Sequence, residues 1–129
     1  MELNDETLRF IREHCKDDVR NLALQAPKYP GVDMPVALTQ IAGRQAAAEK
    51  IPSWHEEEGI LYPRHLSLEQ CSSEATARYK ASIIPESSSG TLPDLTGGFG
   101  IDCAFLSPKF HHVTYVERQE VLCEIASHN

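Results

Sequence analysis

The sequence predicts a mainly α-helical chain with a small α/β part at its end. Three observations lead there. Apolar residues recur at helical spacing through most of residues 1–85. After residue 90 the pattern changes to strand, glycine turn, helix, strand and helix, the opening of a doubly wound parallel sheet. Between them lies Glu86-Ser87-Ser88-Ser89-Gly90, a polar connector that makes the best boundary. Residues 1–85 are therefore expected as a helical domain, and residues 86–129 as the truncated start of a second domain.

Residues 5–25 read as a first helix. Leu8, Ile11, Cys15, Val19 and Leu22 fall near one face, Asp17 and Asp18 on the other, with Asp5 as a cap and Pro27 as the stop. Lys28-Tyr29-Pro30-Gly31-Val32 is turn chemistry. Asp33 then caps a second helix with Pro35 in its first turn, running to about Lys50. Ala46-Ala47-Ala48 gives that helix high propensity and room for close packing. Ile51-Pro52-Ser53-Trp54 breaks it, Glu56-Glu57-Glu58 is a solvated acidic run, and Ile60-Leu61-Tyr62-Pro63 is an extended apolar link. Ser67 to Gln70 forms a single turn, and Ser72 or Ser73 caps a third helix that Pro85 stops.

Past the connector, residues 91–95 form a first strand, shortened by Pro93, which lacks a ladder donor. Asp94-Leu95-Thr96-Gly97-Gly98-Phe99-Gly100-Ile101-Asp102 is a glycine turn opening into a helix over residues 101–107. Residues 113–117 form a second strand ending at Glu117, and a last helix spans residues 119–127. Glycines in such a turn let backbone N–H groups approach a ligand that a Cβ would hold off. A carboxylate at the tip of the following strand is placed to accept hydrogen bonds from ribose hydroxyls. The pattern is that of the nucleoside-binding half of a doubly wound, Rossmann-like fold. A pyrophosphate fits poorly, because Asp94 and Asp102 bracket the turn with negative charge. A sulfonium nucleoside such as S-adenosylmethionine fits better.

The run D-L-T-G-G-F-G-I-D resembles the first motif of class I S-adenosylmethionine-dependent methyltransferases. It is most similar to bacterial enzymes that methylate a guanine N2 of small-subunit ribosomal RNA, and V-T-Y-V-E-R at residues 113–118 resembles their second strand. The upstream runs I-P-S-W and L-S-L-E-Q-C-S-S-E-A-T-A-R-Y-K-A resemble the helical leader of methyltransferases with a THUMP-like C-terminal RNA-binding domain. The resemblance implies that Asp94, Thr96, Gly97, Gly98, Phe99 and Gly100 surround the cofactor and that Glu117 holds its ribose. Thr96 stands where many class I enzymes have the first glycine, and Gly97 where the rRNA group has alanine. It further implies that a helix capped at Ser72, Ser73 and Thr76 touches the cofactor carboxylate.

Enzymes of this type hold the target base with an Asn/Asp-Pro loop, and none of the eight prolines here follows Asn or Asp. The chain is thus expected to be an N-terminal piece of a longer enzyme, without catalytic residues and inactive alone, RNA being bound by the missing part. A first strand without its usual second neighbour would leave a bare sheet edge and favour self-association. The competing expectation is a non-enzymatic helical interaction or dimerisation module with a remnant nucleotide-binding fold.

Composition narrows the classes further. At net charge −7 in 129 residues, the surface as a whole repels nucleic acid, and basic groupings such as Arg64, Arg78 and Lys80 read as solvated helix faces. The four cysteines (Cys15, Cys71, Cys103, Cys123) are scattered, and the acidic N-terminus carries no secretory pattern, so a reduced, cytoplasmic setting is expected. No run is long enough for a membrane span. The six histidines match no zinc spacing, and no metal is expected.

Overall fold

A computed structural model describes residues 2–86 and 90–129. The chain is mainly helical with one small sheet, as its patterning predicts. Eight α-helices are present among the described residues: α1 Asp5–Glu13, α2 Val19–Leu24, α3 Met34–Lys50, α4 Pro52–Glu56, α5 His65–Gln70, α6 Glu74–Ser82, α7 Ile101–Leu106 and α8 Glu120–His128. Two strands, β1 Thr91–Asp94 and β2 His112–Tyr115, pair in parallel with Leu92 opposite Val113. Helix α7 makes the crossover between them. Three serines of the connector, Ser87 to Ser89, lie outside the described residues.

The first expected helix is two helices. Asn4, not Asp5, caps α1, its side chain accepting from the Thr7 N–H at 2.7 Å. The chain then turns after His14, and Asp18 caps α2 by accepting from the Asn21 N–H at 2.9 Å. An Asp side chain offers the backbone a local partner that competes with continued helix. The Gln45 amide of α3 donates to the carbonyls of Cys15 (3.1 Å) and Asp17 (2.8 Å), taking up groups the break sets free. Asp33 caps α3 at Val36, as the sequence predicts, and of the two candidates Ser72 and Ser73 it is Ser73 that caps α6 at Thr76.

The apolar link at residues 60–63 is extended but belongs to no sheet. Side-chain amides replace a neighbouring strand. Buried Gln40 accepts from the Tyr62 N–H at 2.8 Å and donates to the Tyr62 carbonyl at 3.0 Å. Asn129 does the same for Leu61, at 2.8 and 2.9 Å. Buried backbone groups need such partners, and here they come from both sides.

Two buried clusters result. Phe10, Leu22, Val32, Met34, Ala37 and Ile41 join α1, α2 and α3. The other gathers Ala47, Ile51, Leu61, Tyr62, Leu68 and Ala77 with Phe99, Ile101 and Ile125, so it runs across the connector. Phe99 is the hinge of that contact. Its ring meets Trp54 edge-on at 5.2 Å and Tyr62 at 5.9 Å, which anchors the glycine turn to the helical part.

Pro93 sits inside β1 without harming the ladder. The Asp94 carbonyl accepts from the Val116 N–H at 2.9 Å, so Asp94 faces β2. Strand alternation then turns the Pro93 nitrogen to the outer edge, where proline is tolerated.

Candidate functional site

Both strands end at the same place, and the glycine turn and the segment after β2 meet there. Beyond the last strand residues the ladder continues through one more bond, the Gly97 N–H to the Val116 carbonyl at 2.8 Å. The turn is then clamped from the β2 side. Glu117 accepts from the Gly98 N–H at 3.0 Å and from the Gln119 N–H at 2.8 Å. The Tyr115 hydroxyl donates to the Gly98 carbonyl at 2.5 Å. Gly98 (φ +54°) and Gly100 (φ +92°) occupy left-handed backbone that side chains resist, and Gly100 opens α7.

Asp94 holds the turn from the other side. One carboxylate oxygen accepts from the Thr96 N–H at 3.2 Å, and the other receives the Cys103 thiol at 3.4 Å. Burial pushes the Cys103 thiol up to about 12, with the hydrogen bond and charge of Asp94 and the charge of Asp102 adding to it. Backbone donors act on Glu117 in the opposite sense. The Gln119 and then the Gly98 N–H hold its carboxyl below the usual carboxylate value, so it is ionised at neutral pH with lone pairs to spare.

A cavity of about 420 Å³ opens over this turn. Thr96, Gly97, Gly98, Phe99, Gly100 and Glu117, six of the seven residues the sequence singles out, line it. Phe99 does so with its ring buried in the core. Asp94 is the seventh and is not part of the lining; its carboxylate is spent on Thr96 and Cys103.

The opposite wall comes from the helical part: Ser67, Gln70, Cys71, Ser72 and Lys80. Lys80 is not a solvated face residue. Its ammonium reaches Asp102 of α7 at 3.0 Å and the Ser72 hydroxyl at 3.1 Å, while Ser72 donates to Asp102 at 3.1 Å. No spacing rule links residues 80 and 102, so only the packing of α6 on α7 reveals the pair. Ser73 and Thr76, in contrast, bond to one another at the start of α6 and lie outside the lining.

Among the described residues, the charges lining the cavity are one ammonium, Lys80, and two carboxylates, Asp102 and Glu117. A ligand with several phosphate charges would meet more repulsion than attraction there. Among the described residues, no group of three or more His, Cys, Asp or Glu side chains gathers to hold a metal, and no helix is long and apolar enough to cross a membrane.

The architecture is a helical part joined to a short parallel β-α-β-α unit, with a cavity over the ends of both strands between them. No protein-family model matches the chain, and no curated relative does. Among solved structures it is similar to the crystal structure of a "putative methyltransferase" from Porphyromonas gingivalis W83, with 28% identity and a TM-score of 0.71 over 98% of this chain. The likeness covers the leader and the α/β part together. The chain spans 32% of the length of that protein.

Proposed function

We propose that this chain is the cofactor-binding part, with its helical leader, of an S-adenosylmethionine-dependent methyltransferase. The observation that carries the reading is the cavity at the C-terminal ends of two parallel strands, walled by a glycine turn and by Glu117. In open parallel sheets ligands bind at this end of the strands. The likeness along nearly the whole chain to a protein described as a methyltransferase supports it.

In this reading Glu117 accepts the ribose hydroxyls, Gly97 to Gly100 let the nucleoside come close to the backbone, and Asp94 fixes the turn's shape. The net negative lining suits a sulfonium nucleoside. The bound cofactor supplies an electrophilic methyl group, and the protein's task is to hold the acceptor in line with it. No residue of this chain is assigned to the acceptor side. We assign residues 1–85 to a helical domain and residues 86–129 to the beginning of the cofactor domain. By resemblance of the motif and leader, RNA is the substrate class, bound through further parts of the whole protein; the four free, scattered cysteines suit a reducing, cytoplasmic setting.

Calorimetry of the full chain with S-adenosylhomocysteine tests the reading. Saturable binding that Glu117→Ala weakens at least tenfold is the expected result. Absence of binding would replace it with a helical interaction module bearing a remnant nucleotide fold.

A further inference from the structure

The proposed cofactor carries an α-amino acid, with an ammonium and a carboxylate on one carbon. Asp94, the acidic residue at the mouth of the motif, has both oxygens engaged inside the protein and does not line the cavity. Where the helical part meets α7, two charged side chains of opposite sign do line it, Lys80 of α6 and Asp102 of α7, 3.0 Å apart. Resting on the reading above, we propose that Lys80 and Asp102 together read the ligand's zwitterion, Lys80 taking the carboxylate and Asp102 the ammonium, so that the site selects nucleosides bearing an amino acid.

Three features support this assignment. Among the described residues Lys80 is the sole cation in the lining, so an anionic ligand group has one place to go. The Lys80 ammonium sits between two partners on the cavity wall, Ser72 and Asp102, and is nearly half exposed, at 44% of its side chain. It can therefore exchange a protein carboxylate for a ligand carboxylate with little reorganisation. The Asp102 carboxylate is half satisfied: Oδ2 takes both Ser72 and Lys80, while Oδ1 is buried with no hydrogen-bond partner among the described residues. An unpaired buried acceptor is costly. With Oδ1 buried, the oxygen open to the ligand is Oδ2, which gives up the Lys80 donor when Lys80 turns to the ligand carboxylate and takes the ligand's ammonium in its place. The Lys80–Asp102 ion pair also keeps this wall neutral and disfavours ligands carrying only one sign of charge.

The test compares two probes on the full chain by calorimetry. S-adenosylhomocysteine carries the amino acid; 5′-methylthioadenosine has the same nucleoside and a thioether without it. The wild type should bind the first at least tenfold more tightly, a difference of about 1.4 kcal/mol. In Lys80→Met that preference should shrink to threefold or less, and Lys80→Arg should restore most of it. Equal affinity of the wild type for both probes overturns the assignment and needs no variant. So does a preference undiminished in Lys80→Met, and in both cases the nucleoside site stands. Binding of neither probe removes the nucleoside reading and this inference with it.

Discussion

A Cβ added to Gly97 would lie 2.3 Å from Cε2 of the Tyr115 ring. The first motif and the second strand are thus fitted to each other at van der Waals contact. The Tyr115 hydroxyl continues the same contact by holding the Gly98 carbonyl. Gly97→Ala must displace the ring or the turn, and overpacking of this kind costs about 1–3 kcal/mol. Urea denaturation should show a loss in that range. The double variant Gly97→Ala, Tyr115→Ala should lose less than the sum of the two single variants, since removal of the ring makes room for the methyl. Additive losses would mean that the two residues do not share this contact.

Acid should weaken the join between α4 and α6. Glu74, in the first turn of α6, accepts from the Ser53 N–H (2.9 Å) and hydroxyl (2.5 Å), and its second oxygen accepts from Arg78 at 3.0 Å. The Ser53 hydroxyl above all holds its carboxyl below the ordinary 4.5. A carboxyl depressed in the folded state contributes stability above its unfolded value and loses it as pH falls through the folded value. The melting temperature should therefore be flat from neutral pH down to about 4.5 and fall below it, the reference value for Glu74 and Glu117 alike. Glu74→Gln should lower the plateau by about 1–2 kcal/mol of stability and make the acid limb shallower. An unchanged acid limb would show that Glu74 is not among the groups responsible.

The caps of α3 and α6, the glycine turn and the change from helical to strand-helix patterning could be read from neighbouring residues, whereas Asn4 and Asp18 were missed as caps. Asp33, Ser73 and Gly100 act within three or four positions of themselves, and such local chemistry is visible in a string of letters. The break at residues 14–18 was not visible, because its stability depends on Gln45, some thirty positions away. The wall of the cavity was half legible for the same reason. Gly97 to Gly100 and Glu117 belong to one motif, whereas Lys80 reaches Asp102 only because α6 packs on α7. Asp94 shows the reverse limit. Its position in the motif is legible, but its engagement by Cys103 depends on where a helical turn later places a thiol.

Cys103 should be inert for this reason. Its thiol, raised to about 12 chiefly by burial and then by Asp94, is almost wholly protonated at pH 8, with a thiolate fraction on the order of 10⁻⁴. Iodoacetamide at that pH should label native Cys103 at least a hundredfold more slowly than the unfolded chain, read by peptide mass spectrometry. Asp94→Asn removes the neighbouring negative charge and should raise the labelling rate several-fold. Rapid labelling of the native wild type would show that the thiol is not held against Asp94.

The outer edge of β1 sets the last expectation. Among the described residues β1 has one strand partner, β2, and its other edge carries the Thr91 backbone groups and the Pro93 carbonyl. An unpaired edge is a template for another strand, and we propose that copies of this chain associate through it. Exposed Leu95, just past the end of β1, would be covered by the same contact. Pro93 limits the association, because it offers no N–H to an incoming strand. Pro93→Val supplies that donor and a residue suited to strands. In a two-fold symmetric pairing the donor is gained twice, at about 0.5–1.5 kcal/mol each, so dimerisation should tighten at least roughly fivefold and up to about a hundredfold. Light scattering at matched concentrations reads the change. If Pro93→Val leaves the measured mass unchanged while the wild type associates, the contact lies elsewhere, and if neither associates, the edge is not sticky enough to matter. Tighter assembly on gaining one N–H would identify the open side of β1 as the surface where a further strand belongs.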